Sequence, residues 1–201
     1  YLIEDANGTT DTATITVTVR PGPVGTPDTG EGLQGLPVPL DPVTNDVPGR
    51  NADDTPGEFD PTTVVFPTEG QPEGAEVSED GRTITVPGVG EYVADPEKGT
   101  VVFTPEPQFT GSTPPVTYEV TDSHGNPTTS TVVVEIVPVV PTADHDSAST
   151  PSNTPVTLNV PANDAAGDPR LPLVPGSVVL VVGDGLTDVT LVVPGEGTWT
   201  V

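Results

Sequence analysis

Two β-strands and the tight turn between them are encoded by residues 118–137, which read YEVTDSHGNPTTSTVVVEIV. In the second half of this stretch, Val132, Val134 and Ile136 share one face, as expected for an antiparallel strand with one buried side. Gly125 lies between the two halves, where glycine supplies the positive φ that a hairpin turn needs. The stretch therefore predicts a β-hairpin.

The same hairpin is encoded a second time at the start of the chain. Residues 1–8 read YLIEDANG and align with residues 118–125, YEVTDSHG, at a shift of 117 positions. The register holds without a gap to Val19, and residues 13–19 alternate strictly between polar and apolar, which predicts another half-buried strand. Self-similarity at a fixed spacing is typical of tandem repeats. Because the alignment begins inside one copy, we expect the chain to be a window from a longer array.

A third, partial copy follows. Residues 37–46 (PVPLDPVTND) match residues 155–164 (PVTLNVPAND) at a shift of 118, and residues 86–92 (VPGVGEY) match residues 193–199 (VPGEGTW) at a shift of 107. The shorter shift indicates residues lost in a loop, where few buried contacts depend on length. We therefore predict C-terminal strands of a preceding repeat (1–22), a complete repeat (23–139) and the N-terminal part of a following repeat (140–201).

The composition narrows the class of function. Thirty acidic residues face five basic ones, giving a formal charge of −25, so we expect no binding to nucleic acid and no insertion into anionic membranes, which need basic patches. The chain has no cysteine and no methionine, and its fold therefore does not depend on redox state. Proline and glycine cluster between the strand patterns, and the proline-rich joins between copies favour semi-rigid spacers.

Further strands are predicted in the middle copy. They are Thr62–Phe66, Arg82–Val86, Gly90–Val93 and Thr100–Thr104. Short strands separated by turn residues predict an all-β fold of tandem Ig-like antiparallel β-sandwich repeats, with one complete unit flanked by partial units. Tyr118 resembles a tyrosine corner whose hydroxyl bonds back to the backbone. The predicted core also contains Val64, Phe66, Ile84, Val86, Tyr92, Val102, Phe109, Val120, Val132, Val134 and Ile136, with Val101 or Phe103 as the alternatives to Val102 if the register slips by one residue.

A family resemblance emerges from four segments taken together. They are VPGVGEY (86–92), DPEKGTVVFTP (95–105), FTG (109–111) and PVTYEVTD (115–122). This succession resembles the CshA-type fibril repeats of bacterial surface adhesins and, more broadly, bacterial Ig-like and cadherin-like tandem repeats. The resemblance implies an Ig-like sandwich in a stalk or fibril on a bacterial surface, and it supplies no catalytic residues.

Calcium is the one cofactor that the acidic residues bring into consideration. Asx-rich turns such as residues 5–11 and 122–126 place oxygen donors alternately, but they lack the full ligand spacing of a calcium loop. A junction between repeats is a better place, since carboxylates gathered there repel one another unless a cation joins them. The candidates are Asp28, Asp46, Asp122, Asp144 and Asp146, together with the loop residues Asp53 and Asp54.

Other sites are weaker hypotheses. Lys98, the only lysine, lies in a turn that we expect to be exposed, which argues against an intramolecular cross-link to asparagine. His124 and His145 have no nucleophile at a defined spacing, so we predict that the protein is not an enzyme. Tyr92 and Trp199 occupy matching positions and could stack on a sugar, although packing in the core is the simpler interpretation.

The sequence thus predicts a structural segment of an extracellular, bacterial cell-surface fibril or adhesin stalk, in which repeats add length and rigidity. Its expected partners are neighbouring repeats of the same protein, with self-association into filaments or exchange of strands between chains as a variant. The alternative is an adhesive module whose loops recognise host protein or glycan, but those loops are short, acidic or proline-rich and contain few aromatic or arginine anchors.

Overall fold

The computed structural model of the chain describes residues 1–182, 185–187 and 190–201. Strands are the dominant regular structure over these residues, and the only helical segments among them are two single 3-10 turns, Val160–Ala162 and Pro175–Ser177. The all-β prediction is confirmed at this level. The chain divides into two compact units, Tyr1–Pro138 and Val139–Val201.

The first unit contains twelve strands. They are β1 (Leu2–Glu4), β2 (Thr10–Thr12), β3 (Asp28–Leu33), β4 (Val38–Leu40), β5 (Phe59–Val65), β6 (Glu76–Val77), β7 (Thr83–Val86), β8 (Gly90–Ala94), β9 (Val101–Pro105), β10 (Gly111–Ser112), β11 (Val116–Asp122) and β12 (Pro127–Val137). The predicted strands between residues 62 and 104 all form, with ends that differ from the predicted ones by a few residues.

These strands form a hairpin and two larger sheets. Strands β1 and β2 pair with each other. The first five-stranded sheet has the order β10-β12-β11-β5, and its fifth strand, β3, also pairs with β12. The second five-stranded sheet has the order β4-β9-β8-β7-β6. Neighbouring strands are antiparallel except for β3 and β12, which run parallel from Asp28 opposite Val132 to Leu33 opposite Val137. The prediction of purely antiparallel sheets is wrong at this pair. Parallel partners need a long connection, and nearly the whole repeat lies between these two strands.

Both five-stranded sheets contribute side chains to one buried core. Tyr92 and Phe103 from one sheet and Tyr118 from the other are fully buried there. The predicted core residues are confirmed except at two positions. Val102 is exposed and its neighbours Val101 and Phe103 are buried instead, because the strand register differs by one residue and so exchanges the two faces. Phe109 is only partly buried at the edge of the core.

Residues 13–19 correct another prediction. Strand β2 ends at Thr12, and the apolar side chains of Ile15, Val17 and Val19 are 72–86% exposed. Their counterparts Val132, Val134 and Ile136 are buried in β12, which pairs with β3, β10 and β11. The alternation therefore predicts which side a strand would bury, but burial also needs partner strands. Ala13 still bonds to Tyr1, whereas no strand in the described part of the chain pairs with residues 14–19.

Among its described residues, the second unit contains two pairs of antiparallel strands. Strand β13 (Leu180–Val182) pairs with β14 (Gly185–Thr187), and β15 (Thr190–Val193) pairs with β16 (Gly197–Thr200). Residues 140–179 of this unit contain the two 3-10 turns and otherwise little regular structure.

Candidate functional site

The repetition seen in the sequence is reproduced in the backbone of the two hairpins that define it. The Asp122 amide donates to the Asn126 carbonyl at 2.9 Å, and the corresponding Asp5 amide donates to the Thr9 carbonyl at 2.9 Å. The turn glycines share the left-handed conformation, with φ of 81° at Gly125 and 82° at its counterpart. The two hairpins are thus the same turn built twice.

The third copy repeats other parts of the middle one. An isolated antiparallel bridge joins Val24 to Val47, and the same bridge joins Thr142 to Ala165, 118 positions later. The loop that follows β3 contains Gly35 at φ of 73°, and its counterpart Asn153 keeps a positive φ of 59° although it is not glycine. A left-handed residue is therefore retained where the side chain has changed, which indicates that backbone geometry is the repeated feature.

The most unusual polar cluster of the middle unit surrounds the hydroxyl of Tyr118. Three oxygen atoms lie within hydrogen-bond distance of it: the Pro42 carbonyl at 2.8 Å, the Asp46 carboxyl at 2.8 Å and the Asp28 carboxyl at 2.9 Å. The predicted bond from the hydroxyl to the backbone is confirmed by the contact with Pro42. The other carboxyl oxygen of Asp46, which is buried, accepts a hydrogen bond from the Thr26 amide at 2.6 Å.

The Tyr118 cluster has more hydrogen-bond contacts than hydrogens to fill them. The Tyr118 hydroxyl has one hydrogen to donate and three oxygens around it, so a second of these contacts is a hydrogen bond only if a carboxyl supplies a proton. Burial, together with the negative charge of Asp46, raises the pKa of Asp28 to about 6, although the bond from Tyr118 opposes this shift. Burial also raises the pKa of Tyr118, which therefore remains protonated. Asp28 is the group best placed to hold the extra proton.

The flanking copies contain the parts of this cluster separately. Tyr1 corresponds to Tyr118 and is 62% exposed in the first unit. Asp146 and Asp164 correspond to Asp28 and Asp46 and lie in the second unit, where Asp164 accepts a hydrogen bond from the Asp144 amide at 2.9 Å, as Asp46 does from Thr26. The loop that carries the buried acid is therefore preformed in the third copy as well.

The structure brings together some of the calcium candidates and not others. Asp28 and Asp46 meet at Tyr118, whereas Asp122 accepts hydrogen bonds from the amides of His124 and Asn126 at 2.9 Å each. Burial alone would raise the pKa of Asp122, but these bonds outweigh it and lower the pKa. The remaining candidates lie elsewhere: Asp53 bonds to Thr55, Asp54 pairs with arginines, and Asp144 and Asp146 belong to the second unit.

Among the described residues, no group of three or more His, Cys, Asp or Glu side chains is arranged to hold a metal ion. Calcium binding between repeats therefore stays an untested alternative to the absence of a cofactor, which is what the sequence favours.

Lys98 and the two histidines lie where the sequence predicts. The side chain of Lys98 is 72% exposed, and its amine lies 3.6 Å from the Asp95 carboxylate in the same turn. His124 is half-exposed in the β11–β12 turn, with its imidazole 3.9 Å from the Asp122 carboxylate. His145 is exposed in the second unit.

Tyr92 and Trp199 differ, although they occupy matching strand positions. Tyr92 is fully buried between Phe66 and Phe103, and its hydroxyl donates to the Thr113 hydroxyl at 3.0 Å. Trp199 is 48% exposed, so the prediction that both pack in a core is right for the tyrosine and wrong for the tryptophan. Phe103 and Thr113, which contact Tyr92, have no counterparts among residues 140–201.

Sequence reasoning missed the roles of the arginines. Arg82 donates from its guanidinium to the carbonyls of Thr62 and Val64, which ties β7 to β5 across the two sheets. Arg20 forms an ion pair with Asp54 in the loop that follows the Val24–Val47 bridge. The composition contained one indication of these roles. With thirty acidic and only five basic residues, each basic side chain has many carboxylates with which it can pair.

Comparison with known proteins agrees with the repeated architecture. The family described as the surface adhesin CshA repetitive domain matches residues 21–136, more than half of the chain. Among curated proteins, none matches. No helix among the described residues is long and apolar enough to cross a membrane. A repeat domain of a surface adhesin implies a non-enzymatic protein at the cell surface. On the strength of the match over residues 21–136, the chain belongs to the family of CshA repetitive domains of surface adhesins.

Proposed function

We propose that the chain is a structural segment of a bacterial cell-surface fibril or adhesin stalk, in which successive repeats add length and rigidity. The observation that carries this proposal is the repetition of backbone geometry and of a structural hydrogen bond, the one that Asp46 and its counterpart Asp164 each accept from a backbone amide. The turns at Gly8 and Gly125 coincide, as do the bridges at Val24 and Thr142, whereas Tyr92 has become tryptophan in the third copy. Units that share geometry and vary in side chains are suited to a mechanical role.

The finer fold that we propose for each complete repeat is an Ig-like β-sandwich. Two five-stranded sheets that bury one common core support this fold, as does the bond from the Tyr118 hydroxyl to the Pro42 carbonyl. The parallel pairing of β3 with β12 closes one sheet with the first and last strands of the repeat. In this arrangement the linkers would enter and leave the repeat beside the same pair of strands.

Length and charge give the stalk its properties. The longest strand, Pro127–Val137, has eleven residues and spans about 36 Å, so each repeat should add roughly 35–45 Å to an extended array. A formal charge of −25 opposes collapse of neighbouring repeats onto one another. The proline-rich joins restrict bending between them.

The partners that we propose are neighbouring repeats of the same protein, with the array either attached to the cell wall or forming a filament. The exposed side chains of Ile15, Val17 and Val19 support this choice, since the matching strand of the middle unit buries the same positions against β3 and β10. A neighbouring repeat, in the same chain or in another one, would supply such strands. We propose no partnership with nucleic acid or with the membrane interior.

Solution X-ray scattering tests the stalk. Polypeptides that carry one, two and four copies of residues 20–137, which include the linker, should show a maximum dimension that increases linearly, by roughly 35–45 Å per copy. A maximum dimension that grows only as expected for a compact globule would refute the proposal. Saturable binding of a host glycoprotein by a single copy, absent for a repeat with scrambled loops, would favour the adhesive alternative instead.

A further inference from the structure

We propose that the loop formed by residues 50–56 is a docking site for the linker that enters the repeat. Arg20, Asp54 and Arg50 fix the orientation of this linker relative to the repeat. The proposal rests on the stalk function, because it explains how a joint between repeats would be stiff. The linker concerned, residues 20–24, connects the end of one predicted repeat to the start of the next, and it belongs to the same compact unit as the loop.

The backbone of the linker is bonded to the middle repeat at two points. The Arg50 amide donates to the Pro21 carbonyl at 3.1 Å, and Val24 exchanges two hydrogen bonds with Val47 at 2.8 and 2.9 Å. Gly49 lies between these points and faces the linker, since a Cβ atom there would be 3.3 Å from the Pro21 carbonyl oxygen and 2.5 Å from the Asp122 carboxylate. The linker therefore lies against the surface and is not a free tether.

Two ion pairs of Asp54 add to the contact between the linker and the loop. Arg20 reaches Asp54 with 3.1 Å between guanidinium and carboxylate, and Arg50 lies 3.7 Å from the same carboxylate and donates to the Asp54 carbonyl at 2.7 Å. The Nε atom of Arg20 is buried without a hydrogen-bond partner, although a third of the side chain is exposed, so the inner part of the guanidinium lies within the contact. Two of the five basic residues of the chain thus meet at one acid.

The loop is built to present that acid. Asp54 has a φ of 72°, an uncommon conformation for a residue with a side chain. It is held there because the Asp54 amide donates to the Asn51 carbonyl, the Asn51 amide donates to the Thr55 carbonyl, and the Asn51 side chain donates to the Thr55 hydroxyl at 2.8 Å. A loop that is braced by its own hydrogen bonds can fix the position of a carboxylate for a ligand that arrives from outside the loop.

The second unit repeats the backbone part of this arrangement. Thr142 exchanges two hydrogen bonds of 2.9 Å with Ala165, and a Cβ atom at Gly167 would lie 2.5 Å from the Val140 carbonyl oxygen. Gly167 is the counterpart of Gly49, so a glycine receives the incoming linker in both copies. The arginine pairs are different there, because Asp168 binds Arg170 of its own loop. Docking of the linker is therefore the common element, and the Arg20–Asp54 pair is an addition at the first joint.

Pulsed electron paramagnetic resonance on the full chain tests the proposal directly. Because the chain has no cysteine, nitroxides can be placed at Thr10→Cys on β2 and Thr104→Cys on β9, both of which are exposed. We expect one narrow distance distribution, which broadens in Arg20→Gln and in Asp54→Asn. Arg170→Gln is the matched control, since it removes an arginine from an ion pair in the other unit and should leave the distribution unchanged.

Amide hydrogen exchange gives a second readout at the contact. The protection of the Arg50 amide should fall about two- to fivefold in Arg20→Gln, the effect of losing one surface ion pair. The Ala94 amide, which bonds to the Arg82 carbonyl inside the repeat, should keep its protection and so reports on folding. A broad distance distribution in the unsubstituted chain would overturn the proposal, as would Arg20→Gln leaving both the distribution and the Arg50 exchange unchanged. A broad distance distribution together with a maximum dimension that grows linearly in scattering would overturn only the docking of the linker. A narrow distribution together with a compact array in scattering would overturn only the stalk function.

Discussion

Replacing Asp28 by asparagine should stabilise the middle repeat at neutral pH. The introduced side-chain amide can donate to the Tyr118 hydroxyl as a protonated carboxyl would, but it carries no charge beside Asp46. The difference between the ordinary pKa of 3.8 and the value of about 6 in the folded protein corresponds to about 3 kcal/mol at 1.36 kcal/mol per pH unit. Because Asp28 is partly exposed, solvent screening reduces this to about 1–2 kcal/mol.

The sign of the pH dependence follows from which state holds the proton. With a raised pKa in the folded state, Asp28 binds a proton between pH 3.8 and about 6 that the unfolded chain has released. The contribution of Asp28 to the free energy of unfolding is therefore fully present below about pH 4, and it is lost as the pH rises to about 6. Above pH 6 the ionised Asp28 lies close to Asp46 and Asp41, whose charges oppose its own.

Urea unfolding followed through NMR amide signals of the middle repeat would measure this effect, since the second unit then does not contribute. We expect Asp28→Asn and the unsubstituted chain to be similar at pH 4, and the variant to be more stable by about 1–2 kcal/mol at pH 7. Asp60→Asn is the control of opposite sign, because hydrogen bonds from Thr62 lower the pKa of Asp60 and its loss should destabilise the repeat at pH 7. A difference between Asp28→Asn and the unsubstituted chain that stays constant from pH 4 to pH 7 would refute the proton count at Tyr118.

Three further measurements probe other parts of the structure. Tyr118→Phe should lower the free energy of unfolding by about 1–3 kcal/mol in the same urea experiment, because buried Asp46 loses a hydrogen-bond partner. Tyr1→Phe, at an exposed position, should have no effect, and equal stability of the two variants would contradict this reasoning. Gly32→Ala should lower the free energy of unfolding by about 1–3 kcal/mol, since the added Cβ atom would overlap the Val38 side chain. Gly22→Ala, where the added atom has open space, should leave the stability unchanged, and an equally stable Gly32→Ala would show that β4 can shift. Chelation should leave the melting temperature unchanged, and a rise with millimolar calcium would instead favour a cation between repeats.

The fold of the middle repeat could be predicted in most of its core because alternation depends only on the chain itself. Val132, Val134 and Ile136 are buried as their spacing predicts. The register of β9 could not be chosen in the same way, because Val101, Val102 and Phe103 are three consecutive apolar residues and either face would be acceptable. The parallel pairing of β3 was also beyond sequence reasoning, since Asp28–Leu33 contains two glycines and little alternation.

The polar sites were harder to predict because they depend on distant loops. Asp28 and Asp46 are separated from Tyr118 by 90 and 72 positions, and no local pattern indicates that three such residues meet. The sequence did single out both acids, but only as candidates for a shared cation. In the structure, the Tyr118 hydroxyl lies within hydrogen-bond distance of both carboxyls, and below about pH 6 a proton on Asp28 would remove the repulsion that a cation would otherwise offset.

This difference bears on how an acidic stalk can stay rigid. The chain has thirty acids and five basic residues, so few cations are available to fix its loops. Three of them lie at particular places: Arg82 bonds across the two sheets, and Arg20 and Arg50 meet at the entering linker. Several of the remaining carboxylates accept hydrogen bonds from amides and hydroxyls of their own turns, as at Asp5 and Asp122. Interactions of this kind are short in range and depend little on salt, so screening would weaken the Arg20–Asp54 contact before it weakens the repeats. On this reasoning, raising the ionic strength to about 1 M, where the Debye length is about 3 Å, should loosen the joint while the urea stability of the middle repeat stays the same or increases.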